Sequence, residues 1–155
     1  MASAKKENHW LGKFVPYLIY RITGHLNRSL RKNLRRSGIN LARWRVLAVL
    51  NDHGRLNISQ IVEHTLLEQP TVSRVVDQLQ REGLAVRESA DRDSRFVQVR
   101  LTAEGEKAFK AVYPIAVEHQ QQALKGFKQH EIKTLMGLLE RIQNNISSGH
   151  QGSSE

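Results

Sequence analysis

The sequence predicts a mainly α-helical fold with one short β-hairpin, set between long helices at the two ends of the chain. Over most of the 155 residues, apolar side chains recur every three or four positions, which is the spacing of one helix face. Only the segments that flank the charged run at residues 91–95 are short and β-like, as in a two-stranded hairpin. With 39% apolar residues, the chain can bury a core.

The first predicted helix begins at Trp10 and ends near Gly38. Its apolar stripe consists of Leu11, Val15, Leu18, Ile22, Leu26, Leu30 and Leu34. Such a helix is about 40 Å long at ~1.5 Å per residue, which is too long for one small core to cover. Part of its apolar face is therefore expected to meet another surface.

Helix signals then follow one another closely. Asn40 is placed to cap a second helix. Asn57 and Gln60 have the spacing of a capping box, and they predict a short third helix that ends near Thr65. A fourth helix has Pro70 in its first turn, where a missing N–H costs nothing.

The fourth helix has two contrasting faces. Its predicted buried stripe is Val72, Val75, Val76 and Leu79. The opposite face carries short polar side chains and one cation, namely Gln69, Thr71, Ser73, Arg74 and Gln78. Side chains of these types pair with the edges of bases in the major groove, so this face is interpreted as one that reads DNA.

A hairpin is predicted after Gly83, which ends the fourth helix. Its strands are the β runs at residues 84–87 and 96–101, and its tip is charged. Two helices joined by a short turn and followed by such a hairpin are typical of a winged helix-turn-helix, whose second helix enters the major groove. An arginine at the hairpin tip can reach the adjacent minor groove.

Helices also close the chain. Thr102 caps a long fifth helix, which Pro114 either kinks or separates into two. A last helix starts near Gln129, with apolar residues at strict helical spacing. Residues 1–8 and 147–155 lack apolar periodicity and are predicted to be flexible tails.

Positive charge is concentrated outside the predicted DNA-reading unit. The whole chain carries a net charge of +9. Nine Lys or Arg residues lie between Arg21 and Arg55 against the single acid Asp52, whereas residues 56–105 hold six Arg and eight acids. Long-range attraction for phosphate is therefore expected to come largely from the basic cluster at residues 28–36.

Several classes of protein are excluded. The chain has no cysteine, which removes disulfide scaffolds, thiolate metal sites and cysteine nucleophiles. Its seven histidines form no i, i+4 pair, so neither a metal nor a cofactor is predicted. Without a Walker loop, a nucleophile elbow or a dinucleotide-binding pattern, the chain is not expected to be an enzyme, and no catalytic residue is predicted. It has no membrane-length apolar run and no export signal, so we expect a cytoplasmic protein with no membrane partner.

Three segments resemble those of a known family. Residues 93–95 followed by Leu101-Thr102 look like a D-x-R…L-T wing signature, and residues 43–47 look like a Q-W-R-V-L segment. Residues 60–79 align without gaps with a helix-turn-helix. In these segments, and over residues 10–146 in general, the chain resembles the MarR (multiple antibiotic resistance regulator) family.

The resemblance implies a homodimeric transcriptional repressor. In this family the first and last helices interlock, so residues 9–36 and 103–146 would form the dimerisation region and residues 40–102 the winged helix-turn-helix. Two recognition helices would enter successive major grooves, about 34 Å apart, on a pseudo-palindromic operator of double-stranded DNA. A small organic effector would release the repressor.

The residues expected to contact DNA lie on the fourth helix and at the wing. The major-groove set is Gln69, Thr71, Ser73, Arg74 and Gln78. At the wing, the resemblance implies that Arg92 and Arg95 contact the minor groove or nearby phosphates, and that Asp93 orients an arginine. Arg45 is expected to add a phosphate contact.

The resemblance also implies a small-molecule site between the dimerisation helices and the DNA-reading unit, where family members bind aromatic carboxylates, phenols or related thioesters. The candidate lining is Trp10, Tyr17, Arg21, His25, Trp44 and Arg45. Tyr17, Arg21 and His25 share one helix face, which combines an aromatic wall with cations for a carboxylate. Alternatively, the aromatic residues belong to the core and Arg21 to an ion pair.

Two departures from the family pattern predict local differences. Leu66 stands in the turn where the family often has glycine, so the turn is expected to avoid a positive φ. Glu68 replaces the usual Asp or Ser near the cap of the fourth helix, which predicts a weaker cap.

Two other classes of function stay open. An architectural protein would bind nucleic acid through charge alone, and removal of one arginine would then weaken binding equally on all sequences. An enzyme would use the crevice for catalysis. Against the enzyme stands the lack of any recognisable pair of nucleophile and base in the sequence.

Overall fold

The computed structural model describes residues 10–89 and 97–149. Its elements are a 3₁₀ turn (Trp10–Lys13), α1 (Val15–Arg35), α2 (Leu41–His53), α3 (Ile58–Thr65), α4 (Gln69–Arg81), β1 (Ala85–Ser89), β2 (Val97–Leu101), α5 (Ala103–Ala123) and α6 (Gln129–Gly149). The chain divides into two compact units between residues 119 and 120. The predicted tail at residues 1–8 and the wing-tip residues Arg92, Asp93 and Arg95 lie outside the described residues. Within the described ranges, no helix has the length and apolar character needed to cross a bilayer.

The prediction of one helix from Trp10 onward is wrong at its beginning. Trp10–Lys13 forms a 3₁₀ turn, and α1 begins only at Val15. Pro16 explains the break, because proline lacks an N–H and its ring clashes with the carbonyl four residues earlier. It is accommodated in the first turn of α1, where no intrahelical N–H bond is needed.

Side-chain caps fix the beginnings of α2 and α3, as predicted. Asn40 Oδ1 accepts a hydrogen bond from the Arg43 N–H at 2.8 Å. Asn57 and Gln60 form a complete capping box, in which each side chain accepts a hydrogen bond from the other's N–H at 2.9 Å. These contacts satisfy N–H groups that have no partner within the helix, so each helix starts at a definite residue.

The turn between α3 and α4 contradicts the expectation that it avoids a positive φ. Leu66 has φ 53° and ψ 31°, in the left-handed region, and its N–H donates to the Val62 carbonyl at 2.9 Å. The Thr65 hydroxyl donates to the Ile61 carbonyl at 2.6 Å and accepts from the Leu67 N–H at 3.4 Å. These hydrogen bonds hold the chain reversal, although the conformation costs a residue with a Cβ about 1–2 kcal/mol.

Leu66→Gly is therefore expected to stabilise the protein by about 0.5–1 kcal/mol. Glycine relieves the left-handed strain, although its unfolded state is more flexible and offsets part of the gain. The Leu66 side chain is 88% exposed, so little burial is lost. Urea denaturation should compare this variant with Leu66→Ala, which removes the same apolar surface but keeps the strain. Equal stability of the two variants would show that the turn is unstrained.

The main core lies between α2, α3, α4 and the hairpin. Its fully buried side chains include Val46, Leu47, Leu50, Ile61, Val72, Val76, Leu79 and Val99. The strands are antiparallel, with Ala85 opposite Leu101 and Ser89 opposite Val97. Leu56 pairs with Val99 through two backbone hydrogen bonds of 2.7 and 3.1 Å. The hairpin is thus joined to the chain just before α3, and its position relative to α4 is fixed.

The structure decides the question raised by Pro114, since α5 is one continuous helix that contains this residue. A proline there removes the hydrogen bond to the carbonyl of Lys110. Both residues are exposed, so water can reach that carbonyl. In the second unit, α6 begins at Gln129 as predicted and ends at Gly149, beyond the predicted boundary at residue 146.

Candidate nucleic-acid interface

The structure gives α4 the two faces that its sequence predicts. Val72, Val76 and Leu79 are fully buried and Val75 nearly so, which anchors the helix on the core. Among the predicted DNA-contacting residues, the exposed ones are Gln69, Arg74 and Gln78, and the half-buried ones are Thr71 and Ser73. The helix therefore presents polar side chains to solvent along the face opposite its apolar stripe.

Arg74 is the cation at the centre of this polar face. Its Nε donates a hydrogen bond to the Pro70 carbonyl, one turn earlier, at 3.2 Å. This bond uses one of the five guanidinium donors. Within the described residues, the two terminal nitrogens of Arg74 have no hydrogen bond or ion pair, so a bidentate acceptor such as a guanine edge can engage them.

The beginning of α4 lacks a side-chain cap. Glu68 occupies the N-cap position but accepts no hydrogen bond from the helix, which confirms the weaker cap expected from the sequence. The missing cap leaves first-turn N–H groups to solvent or to an external acceptor. The rigidity of α4 must therefore come from other contacts.

Two arginines hold the C-terminal half of α4. Arg43 on α2 forms a two-pronged ion pair with Glu82, directly after α4, with its Nη1 donating to Oε1 at 2.8 Å and its Nη2 donating to Oε2. Arg87 on β1 contacts the Asp77 carboxylate at 2.6 Å and donates to the Gln80 side chain at 2.8 Å. Paired donors of this kind fix direction as well as distance, so α4 is held relative to both α2 and the hairpin.

The Arg43 pair predicts a dependence of stability on pH. The hydrogen bond from Arg43 lowers the pKa of Glu82 below its ordinary 4.5, and it outweighs the opposing effect of desolvation. A lowered carboxyl pKa stabilises the folded state above the unfolded pKa, and this contribution is lost as the pH falls through the folded value.

Glu82→Gln should therefore lower the free energy of unfolding by roughly 1 kcal/mol near neutral pH, and the difference from wild type should shrink well below pH 4.5. Urea denaturation over an acid series measures the effect. Glu104→Gln is the control, because Glu104 pairs with Lys107 only on the exposed surface. A difference from wild type that does not change with pH would contradict the assignment to the Arg43–Glu82 pair.

The hairpin arginines are paired as well. Arg100 Nε donates to Glu88 Oε1 at 2.9 Å, and this hydrogen bond lowers the pKa of the Glu88 carboxyl. Arg55 approaches the same carboxylate at 3.7 Å. These charges serve the hairpin itself and are not available for a long-range contact with DNA.

The structure places Arg45 away from the polar face of α4. Its Nη2 donates to Asn27 Oδ1 on α1 at 3.1 Å, and the side chain is half-buried. Arg45 thus joins α2 to α1, which the sequence gave no means of anticipating because the two residues lie 18 positions apart.

An aromatic cavity of about 500 Å³ lies between α2 and α5. The Trp44 and Phe109 rings stack nearly parallel with centroids 5.5 Å apart, and Tyr113 tilts against Phe109 at 5.4 Å. Asp52 and His53 form its polar edge. Sequence reasoning named Trp44 but missed Phe109 and Tyr113, whose i, i+4 spacing on the predicted fifth helix was the available signal.

The other predicted ligand residues lie elsewhere on the first unit. Trp10 is in the 3₁₀ turn and packs against Phe14, with ring centroids 5.3 Å apart. The Arg21 guanidinium lies 6.0 Å from the centre of the Tyr17 ring. Arg21 and His25 line a cavity of about 320 Å³ that is distinct from the one at Trp44. The predicted aromatic wall and the predicted cations are therefore separated.

Comparisons with known proteins agree with this architecture. Residues 37–95 match the profile of the MarR family. The transcriptional repressor IacR of Pseudomonas putida is 27% identical over 87% of this chain and 81% of its own length. A MarR-family regulator from Silicibacter pomeroyi is 32% identical in its crystal structure, with a TM-score of 0.80 over 88% of this chain and 92% of that one.

A further solved relative has a described ligand. BpsR of Bordetella bronchiseptica, whose DNA binding is regulated by 6-hydroxynicotinic acid, is 25% identical, with a TM-score of 0.72 over 83% of this chain and 98% of that one. The family match contains α2 to α4 and the start of the hairpin, and the relatives extend over both flanking regions. The chain therefore belongs to the MarR family of winged helix-turn-helix transcriptional regulators.

Proposed function

We propose that the protein is a homodimeric repressor whose two α4 helices read a pseudo-palindromic operator, and that a small aromatic or phenolic acid, or its thioester, releases it. The observation that carries DNA reading is the polar face of α4, where Arg74 stands exposed above a fully buried apolar stripe. Ion pairs to α2 and β1 hold that helix in place. A regulator of this kind acts in the cytoplasm, on double-stranded DNA.

Exposed apolar residues support the dimer. Those of the first unit are Trp10, Leu11, Phe14, Val15, Leu18 and Ile22, and those of α6 are Met136, Leu138, Leu139 and Ile146. In α1, burial is complete only at Leu34. Surfaces of this size on a soluble chain mark contacts with another protein, and a second copy with a matching pair of helices would cover them.

The aromatic cavity supports the effector. Its volume of about 500 Å³ lies in the range of ~300–1,000 Å³ that suits small organic ligands. Trp44, Phe109 and Tyr113 supply ring faces for stacking, and BpsR responds to an aromatic acid. An effector that binds better when the two α4 helices are misaligned with the grooves would shift the population away from DNA.

Binding of the purified protein to DNA from its own upstream region tests the proposal. An unrelated duplex of equal length is the comparison, and both are measured across a salt series. We expect a preference of about a thousandfold or more that persists at moderate salt. Equal binding to both duplexes, and to fragments recovered by a genome-wide selection, would instead identify an architectural protein held by charge.

The effector is tested on the complex with the preferred DNA. A panel of aromatic acids, phenols and thioesters, 6-hydroxynicotinic acid included, should contain a compound that weakens DNA binding. Tyr113→Leu should reduce sensitivity to that compound without changing DNA affinity in its absence, because Tyr113 lines the cavity and lies apart from α4. If no compound alters DNA affinity, the repressor is not controlled in this way.

A further inference from the structure

A second cavity, of about 660 Å³, lies beside the polar face of α4. Its walls come from the C-terminal end of α1, the segment that leads into α2, and α4 itself. Arg31 and Arg35 project from α1, and Thr71, Arg74 and Gln78 line it from α4. The lining contains no acidic residue among those the structure describes.

The arginines of this cavity differ from those of the surrounding fold. Near α4, Arg43, Arg87 and Arg100 each pair with a carboxylate. By contrast, Arg31, Arg35 and Arg74 form no ion pair within the described residues. Like charges that share a concave surface repel one another, so this cavity is electrostatically incomplete without an anion.

The spacing on α1 strengthens the argument. Arg31 and Arg35 are one helical turn apart, so both side chains leave the same face of the helix. Thr71 and Gln78 add neutral donors from the facing helix. Guanidinium groups bind phosphate oxygens through paired hydrogen bonds, and a phosphate group can accept from both helices at once.

We propose that this cavity is a phosphate-binding site, in which Arg31 and Arg35 hold one phosphate group against α4. The proposal rests on the proposed function as far as α4 reads DNA, and it gives α1 a role in setting the register of that reading. The same chemistry would serve a backbone phosphate beside the contacted bases or the phosphate of a small molecule. A free phosphate compound bound here would compete with DNA.

The test is a salt series of DNA binding by the double variant Arg31→Gln/Arg35→Gln. Lys32→Gln/Arg36→Gln is the matched control, since it removes two charges from the same helix at residues that do not line the cavity. We expect the first variant to bind about tenfold or more weakly per protomer. The slope of log K against log salt should fall by about 0.9 for each phosphate released. The control should change both quantities much less.

A second arm distinguishes the source of the phosphate. Inorganic pyrophosphate is titrated into the protein without DNA, at constant ionic strength, and followed by calorimetry. Saturable binding that the double variant loses and the control keeps would identify a site open to free phosphate compounds. A salt-slope effect with no pyrophosphate binding would identify a site for the nucleic-acid backbone alone. The proposal is overturned if the two double variants behave alike in both arms.

The two proposals fail in different ways. If wild-type protein does not bind DNA specifically, DNA reading is wrong, but the pyrophosphate arm still tests the cavity. If the wild type reads its operator and both double variants match each other, the cavity assignment alone is wrong. Thermal denaturation of each variant verifies folding, which the exposed positions of all four side chains should preserve.

Discussion

Gly105→Ala is expected to destabilise the protein by about 3 kcal/mol, although alanine is otherwise the better helix former. Gly105 is buried in the first turn of α5, where a Cβ would lie 2.9 Å from the Leu84 carbonyl carbon and closer still to its oxygen. Real Cβ atoms do not approach backbone that closely, so α5 or β1 would have to move. Forced backbone shifts of this kind cost ~1–3 kcal/mol and occasionally more.

The neighbourhood of Gly105 cannot yield easily. The Leu84 carbonyl accepts the Thr102 N–H at 3.0 Å. The Thr102 hydroxyl donates to the Gly83 carbonyl at 2.7 Å and accepts from the Gly105 N–H at 3.1 Å. One threonine therefore caps α5 and ties it to the end of the α4–β1 connection. A shift of Leu84 would break this network, which is why we place the effect at the upper end of the range.

Gly24→Ala provides the control for this prediction. Gly24 lies within α1, and a Cβ there would meet nothing within 4 Å. The exchange should stabilise the protein by about 0.5–1 kcal/mol through helix propensity alone. Chemical denaturation of both variants measures the contrast. If Gly105→Ala were as stable as wild type, the close packing of α5 on the Leu84 carbonyl would be refuted.

Arg74→Ala is expected to have the largest effect on DNA reading. Loss of a bidentate base contact costs about 1–3 kcal/mol of discrimination at one position. Because a dimer on a pseudo-palindrome would make this contact twice, operator binding should weaken by roughly 2–6 kcal/mol. Affinity for unrelated DNA should change little beyond the loss of one cation per protomer.

Binding to operator variants with single base changes measures this effect. For wild type, one base pair in each half-site should be discriminated, and Arg74→Ala should be indifferent to it. Arg81→Ala is the control on the same helix, one turn beyond the predicted reading residues. The outcome also separates Arg74 from Arg31 and Arg35, whose removal should weaken binding on every sequence alike. A uniform loss for Arg74→Ala would make it a phosphate contact.

Most of the fold was predictable because its signals are local. The caps at Asn40 and Asn57 are hydrogen bonds within one helical turn, and the apolar stripe of α4 is a matter of spacing. The polar face opposite that stripe was predicted for the same reason. The DNA-reading candidate on α4 is therefore essentially a property of the sequence.

Local rules failed where a neighbouring contact set the outcome. Leu66 adopts a left-handed conformation because the hydrogen bonds that end α3 require it there. Arg45 was expected at DNA, but it donates to Asn27 on α1. Trp44 was expected beside Arg21, but its ring stacks on Phe109. In each case the competing partner is distant in sequence or lies in the backbone, where residue type gives no signal.

The sequence by itself determined the order of helices, the hairpin between them, the two faces of α4 and the excess of positive charge before α3. Periodicity, capping and charge are properties of neighbouring residues, so they can be read without coordinates. Only the tertiary structure decided which arginines are neutralised and which remain available. Arg43 and Glu82 meet across 39 positions, whereas Arg31 and Arg35 face α4 with no carboxylate in the cavity lining. Such pairings depend on how elements pack in three dimensions, which no local pattern encodes.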